Sequence, residues 1–227
     1  AAARPARGRG SSLRSCAVPR GRHAPAQAPV DGQHWKQLLA GSWMATDATG
    51  LKVLIPKLPG THNGYLEAYR RDDLVVFQYE AHKGSDNLAS KLQPFSGVLV
   101  ADAEHRHNAV FEDGSVLEAG CNAHGRRKLR DAESVQPVLA AEAGAFVAAM
   151  YVVESEARQA GLNGTALKAR RQEAIAPLRE QLLEWMDAVE PTLIPDDALA
   201  KVIRYYRNHW DALGRFIDHP EIPIDKN

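Results

Sequence analysis

The sequence has few cysteines and no long apolar run, and these two shortages narrow the classes of protein to which it can belong. Cys16 and Cys121 are its two cysteines, which is too few for a disulfide framework and fits a reducing cytosol. No apolar run is long enough to predict a membrane span. The arginine-rich start also lacks the continuous apolar core of a secretory signal. We therefore expect a cytoplasmic protein with no membrane association.

Net charge is also lacking, but positive and negative residues are unevenly spread along the chain. The 227 residues include 28 lysines and arginines and 28 aspartates and glutamates. Residues 1–30 contain six arginines and no acid, so the remainder is acidic by six. Rich in Ala, Arg, Pro and Gly, this start cannot bury enough apolar surface to order itself. We predict a disordered basic leader over residues 1–33, which is either an arm on DNA phosphates or a leader without a role.

Two predicted strands carry an aspartate. Residues 43–55 alternate as a strand should and include Asp47. Residues 98–101 form a contiguous apolar run, which is typical of a strand buried on both faces, and the run ends in Asp102. Asp102 would then lie at the carboxyl end of its strand, where open α/β sheets place their sites.

The order of the segments predicts a mixed α/β sheet. Residues 65–70 and 74–79 read as two strands of a hairpin. A short helix over residues 86–95 then leads into the strand that ends at Asp102, which we expect to lie parallel to the first strand. We assign residues 34–133 to this core.

From residue 134 onward the apolar residues no longer recur at every second position, as in a strand, but at every third or fourth position, as in a helix. One predicted helix face is spaced three and four residues apart and consists of Ile175, Leu178, Leu182, Trp185 and Val189. Pro177 should bend this helix or mark its first turn, and Asp197 can cap the next helix. We therefore predict a helical insertion and C-terminal region over residues 134–227.

A further short strand ends in Gly-Cys and opens into a basic helix. Cys121 and His124 form Cys-x-x-His, which supplies too few ligands for structural zinc. Two interpretations stay open: His124 lies near the acidic site and contacts a phosphate, or both residues are structural. Arg126, Arg127 and Lys128 are expected to face solvent and are candidate contacts for DNA phosphates.

Several motifs together resemble one known family. Gly-Val-Leu-Val-Ala-Asp at residues 97–102 and Glu-Ala-Gly-Cys-Asn-Ala-His-Gly-Arg-Arg-Lys at residues 118–128 resemble the catalytic domain of DDE transposases of the insertion-sequence sixty-six family. Three further segments match the family in the same order: residues 47–54, 198–217 and 222–227. The resemblance extends from about residue 43 to the last residue.

The resemblance implies a fold and a chemistry. It implies an RNase H-like core in which Asp47 and Asp102 are catalytic carboxylates that hold two Mg²⁺ or Mn²⁺ ions. Such ions prefer carboxylate oxygens and, about 3.5–4 Å apart, stabilise both the attacking and the leaving oxygen of a phosphodiester. It also implies transposon and target DNA as partners, a homo-oligomer in the transposition complex, and a bacterial cytoplasm.

The match departs from the family around the acidic pair. The family places a third carboxylate, a glutamate, a few residues after its Ile-Asp-Asn-Asn segment, and the sequence ends at Asn227 before that position. Other departures from the family pattern are Ala48, Gly50, Ala103, Glu104, His107 and Lys226. We therefore expect a truncated or decayed transposase that binds DNA weakly and does not transpose. A catalytically inactive DNA-binding remnant and a non-transposing nuclease of the same fold are the alternatives.

Overall fold

The computed structural model describes residues 28–57 and 59–226. The five strands of its single sheet are β1 Trp43–Leu54, β2 Thr61–Arg71, β3 Leu74–Glu80, β4 Gly97–Ala101 and β5 Val116–Gly120. The helices are α1 Ala28–Leu39, α2 Ser85–Leu92, α3 Asn108–Phe111, α4 Asn122–Ala132, α5 Pro137–Gln159, α6 Gly164–Val189, α7 Ala198–Asn208 and α8 Trp210–Gly214. Short 3₁₀ turns cover His105–His107, Glu190–Thr192 and Arg215–Ile217.

The sheet is mixed, as predicted, with the strand order β3-β2-β1-β4-β5. The first three strands form an antiparallel meander, and Asp72 adopts a positive φ of 52° in the tight turn between β2 and β3. Strands β4 and β5 then add in parallel on the other side of β1. The predicted parallel pairing of the two aspartate-bearing strands is therefore confirmed.

Helices cover both faces of the sheet. On one face, Met44, Tyr69 and Leu99 pack with residues of α1 and α2. On the other face, alternate residues of the same strands pack against the long C-terminal helices. Because strand side chains alternate between faces, neighbouring residues of β1 and β4 enter different cores.

Residues 134–217 are helical wherever they have regular structure, as predicted. Asp197 caps α7 by accepting a hydrogen bond from the backbone N–H of Leu199 at 2.7 Å. Pro177 lies inside α6, and the helix continues through it. Ile175 and Leu182, from the predicted apolar face, are buried in the core.

Helix α5 corrects one expectation from the sequence. By length and composition alone α5 could cross a membrane, so the prediction that no segment qualifies is wrong on that criterion. In this structure α5 packs against α4 and α6, and its Glu154 is buried in an ion pair with Arg171 of α6 at 2.7 Å.

The predicted leader is also corrected at its boundary. Helix α1 begins at Ala28, so it starts before residue 34, where the core was expected to begin. Leu38 near its end is fully buried against the sheet, which gives this helix a packing partner that composition alone did not reveal. The rest of the predicted leader, residues 1–27, lies outside the described residues.

Candidate acidic site beside the end of β4

Asp47 lies on β1, and Asp102 directly follows the neighbouring parallel strand β4. The register of these strands ends where Ala45 pairs with Val100; continued by two residues, it would set Asp47 opposite Asp102. Both positions would then point to the face that is covered by the C-terminal helices. The exact separation of the two carboxylates, expected from the sequence to be within one two-metal spacing, stays a prediction.

The carboxylate of Asp102 faces a buried histidine. Its side chain is 20% exposed, and its Oδ1 lies 3.6 Å from Nδ1 of His107. Neither ring nitrogen of His107 has a hydrogen-bond partner among the described residues. Burial, and then the positive charge of Arg106, lower the pKa of His107, and the negative charge of Asp102 opposes them only in part. His107 is therefore a neutral, unpartnered polar group beside Asp102 at neutral pH.

The Cys-x-x-His motif opens α4 beside this pair. Cys121 is the N-cap residue of α4 and is fully buried, and burial raises the pKa of its thiol. His124 is near enough to Asp102 and Asp47 for both charges to act on it, but burial and the charge of Lys226 lower its pKa. The structure thus favours a structural role for Cys121, and it places His124 near the acidic pair, as the first of the two interpretations requires.

A lysine ammonium occupies the immediate surroundings of Asp47. Nζ of Lys226 donates to Oδ1 of Asp47 at 2.9 Å and to the backbone carbonyl of Thr46 at 3.1 Å. Only 2% of the Lys226 side chain is exposed, against 53% of the Asp47 side chain. Burial alone would raise the pKa of Asp47, but Lys226 and the amide of Ala48 outweigh it and hold this pKa below its ordinary value.

The segment that carries Lys226 is fixed by several contacts. The side-chain amide of Asn122 donates to the carbonyl of Ile224 at 3.1 Å and to that of Leu213 at 3.0 Å. Tyr151 donates to a carboxylate oxygen of Asp225 at 2.6 Å. The backbone N–H of Asn122 also donates to the carbonyl of Ile224 at 3.2 Å. Lys226 therefore enters the site from a rigid segment.

Basic residues of α4 lie on the solvent side of the same helix. Arg126, Arg127 and Lys128 are exposed, as predicted. The guanidinium of Arg126 lies 5.2 Å from the ring centre of Tyr151, and the ammonium of Lys128 lies 4.9 Å from that of Tyr205. These rings orient two of the charges and leave them accessible.

The side chains around Asp47 and Asp102 are not arranged to bind a divalent ion between the two carboxylates. An ammonium already bonds to Asp47, and a cation placed there would meet its charge at close range. The described residues also contain no group of three or more His, Cys, Asp or Glu side chains that could hold a metal ion. The metal ligands that the sequence predicts, Asp47 and Asp102, are thus near one another, but one of them already has a cationic partner.

Sequence reasoning missed the buried polar clusters. Glu67 of β2 accepts hydrogen bonds from Tyr69 at 2.7 Å and from Lys91 at 2.9 Å, and it pairs with Arg106. Arg171 of α6 pairs with Glu154 and donates to three backbone carbonyls near the C-terminal segment. Glu67 could have been found from the sequence, because it is a charged residue at a position of the strand pattern that faces the core.

Comparisons with known proteins agree with the motifs. A family model described as "Transposase IS66 family" matches residues 21–227. The chain is 29% identical over 203 residues to the uncharacterized protein y4qI of Sinorhizobium fredii (strain NBRC 101917 / NGR234), which covers 82% of this chain and 38% of that protein. It is 31% identical over 160 residues to the uncharacterized protein y4jD of the same organism, which covers 67% of this chain and 31% of that protein. The chain thus spans well under half the length of these curated relatives.

Proposed function

The chain belongs to the IS66 family of transposases, and we propose that it is a DNA-binding part of a transposase catalytic domain with an RNase H-like fold. We propose Asp47 and Asp102 as its catalytic positions. It would act in the bacterial cytoplasm on transposon and target DNA, as a homo-oligomer within a transposition complex.

The observation that carries this proposal is the register of β1 and β4. Ala45 of β1 pairs with Val100 of β4, and this register, continued by two residues, would bring Asp47 and Asp102, 55 positions apart in the chain, to one face of the sheet. Three antiparallel strands, a helix and a strand that returns parallel to the first are the order expected of an RNase H-like core. The carboxyl end of a parallel strand is also where α/β sheets place their sites.

Helix α4 supplies a surface for the DNA backbone. It starts beside the acidic pair at Cys121 and presents Arg126, Arg127 and Lys128 to solvent one to two turns later. Cations of this kind contact phosphates and position a duplex without reading its sequence. A DNA strand lying along α4 would therefore pass close to Asp47 and Asp102.

Lys226 favours a second candidate function, a family member that binds DNA without cleaving it. The family implies Mg²⁺ or Mn²⁺ at the acidic pair, but an ammonium on Asp47 is at odds with that ion. We therefore propose DNA binding by this chain at a site that resembles the catalytic site of a transposase, and we do not propose cleavage or strand transfer. In a strand-transfer assay, a nuclease would cleave the DNA strand without joining it to a target, whereas a transposase would give a joined product.

The test is duplex binding in EDTA, measured by fluorescence anisotropy as a function of salt. We expect weak, sequence-independent binding that falls steeply with salt. The double substitution Arg126→Gln/Arg127→Gln should reduce the salt slope by about two, because each lost phosphate contact removes about 0.9 from it.

Two matched variants serve as controls. Arg126→Lys/Arg127→Lys keeps both charges and should retain most of the slope. Lys57→Gln/Arg158→Gln removes the same charge from exposed positions outside α4 and should leave binding nearly unchanged. Equal losses in the α4 variant and in this second control would show that DNA does not lie on α4.

A further inference from the structure

The acidic site contains its own cation, and that cation belongs to the chain. Lys226 lies 179 positions from Asp47, yet its Nζ bonds to a carboxylate oxygen of Asp47. We infer that Lys226 is an internal counter-ion that takes the place of a divalent cation at Asp47, so the chain binds such cations there weakly until this lysine is replaced.

The first support is the burial of the lysine. A surface lysine keeps its ammonium in water on a flexible stem, whereas Lys226 is 2% exposed and bonds to a carboxylate and a backbone carbonyl. A buried ammonium is tolerated only where it is paired and hydrogen-bonded. Asp47 is the carboxylate that pairs with it, so the burial of the lysine depends on this aspartate.

The second support comes from His107. This histidine is 2% exposed, its Nδ1 lies 3.6 Å from Asp102, and neither ring nitrogen is hydrogen-bonded within the described chain. Buried polar groups are nearly always satisfied, and His107 is an exception among the described residues that lies directly beside Asp102. The charges of Lys226 and Asp102 both act on His107. The ammonium, the carboxylates and the imidazole thus share one small region.

The third support is the rigidity of the segment around Lys226. Asn122 bonds to the backbone of Ile224 and Tyr151 to the side chain of Asp225, and Ile222 and Ile224 are buried in the core. Moving the ammonium away from Asp47 would break these contacts. A divalent cation would therefore have to compete with a charge that cannot easily withdraw.

The inference uses the proposed role of Asp47 and Asp102 as the catalytic pair, and its test does not depend on DNA. Mn²⁺ binding is measured by electron paramagnetic resonance on the unaltered chain and on Lys226→Asn, which carries the residue that the family motif has at this position. We expect Lys226→Asn to bind Mn²⁺ at least about tenfold more tightly, since removing a positive charge at contact distance from the ion relieves a direct repulsion.

Further variants assign the effect to the site. Lys226→Arg keeps the charge and should bind Mn²⁺ as weakly as the unaltered chain. Lys226→Asn/Asp47→Asn should lose the gain. Circular dichroism checks that each variant is folded, and Lys226→Gln, which keeps a hydrogen-bond donor for Thr46 and Asp47, decides the matter if Lys226→Asn is unfolded.

Two results would overturn the inference. One is Mn²⁺ binding by the unaltered chain that is as tight as that of the charge-neutral variant. The other is a gain that persists when Asp47 is replaced. DNA binding in EDTA reports separately on the proposed function, so either idea can fail without the other.

Discussion

Glu67 and Asp47 are acids on neighbouring strands, one register step apart, and they have opposite surroundings. Asp47 pairs with Ala68 across the β1–β2 ladder and Glu67 pairs with Ala48, so the two side chains leave the sheet on opposite faces. The Glu67 side chain is 3% exposed and has Lys91, Arg106 and Tyr69 as partners. The Asp47 side chain is 53% exposed and has Lys226.

This difference in exposure and in partners indicates that Glu67 stabilises the fold, whereas Asp47 is accessible to a ligand from solvent. Each oxygen of Glu67 is bonded to buried protein groups, so nothing from solvent can replace them. Half of Asp47 faces water, and its ion pair is screened on that side. An acid of the second kind is available to a ligand once its lysine is removed.

The largest effect is expected from Glu67→Gln. This change removes the anion that Arg106 and Lys91 share on the buried face and leaves them only Glu104 and Glu80, which are more exposed than Glu67. The free energy of unfolding should fall by about 3 kcal/mol. Urea denaturation followed by tryptophan fluorescence measures the loss. Glu112→Gln, at an exposed position, is the matched control and should stay within about 0.5 kcal/mol of the unaltered chain.

The cost of Glu67→Gln should also depend on pH. Burial alone would raise the pKa of Glu67, but the hydrogen bonds from Lys91, Tyr69 and Arg106 outweigh it and lower the pKa. Stabilisation from a depressed carboxyl pKa is complete above the unfolded value of about 4.3 and is lost as pH falls through the folded value. The stability gap between the two proteins should therefore narrow below about pH 4. A difference in unfolding free energy that does not change with pH would indicate that Glu67→Gln destabilises the protein through packing and not through charge.

A smaller effect is expected from Asn122→Ala on the other face. Its side chain bonds to the carbonyls of Leu213 and Ile224, and loss of these bonds in a buried place should cost about 1–2 kcal/mol. Hydrogen exchange should rise in residues 222–226 more than in β4. Uniform acceleration across the chain would instead indicate that the segment does not unfold separately.

The smallest effect is expected from Asp47→Asn. The Lys226 ammonium is buried, but it keeps its bond to the carbonyl of Thr46 and can still donate to the amide oxygen of the variant. Water on the exposed Asp47 side screens its charge, so the stability loss should be about 1 kcal/mol. The comparison between the two acids breaks down if Asp47→Asn costs as much as Glu67→Gln in the same urea titration.

Local patterns in the sequence were enough to predict the sheet and the helical region. The apolar run before Asp102, the alternation around Asp47 and the cap at Asp197 are each set by residues close in the chain. The strand order then follows because an antiparallel meander and a returning parallel strand leave few arrangements. These elements therefore appear in the structure close to where they were expected.

The ion pairs could not be predicted in the same way. Glu67 meets Arg106 across 39 positions, and Lys226 meets the Asp47 strand across 180, so neither pair leaves a local pattern. The sequence marked Lys226 as a departure from the family motif, but only the packing of the C-terminal segment shows that it reaches Asp47.

The position of Lys226 has a practical consequence for anyone who purifies this protein. Residues joined after Asn227 would begin two positions after the lysine that bonds to Asp47. A polyhistidine tag fused there would bring imidazoles, common ligands of divalent metals, within reach of the carboxylates under study. A manganese titration of such a protein would report the tag and the site together, so an affinity tag belongs at the other end of the chain.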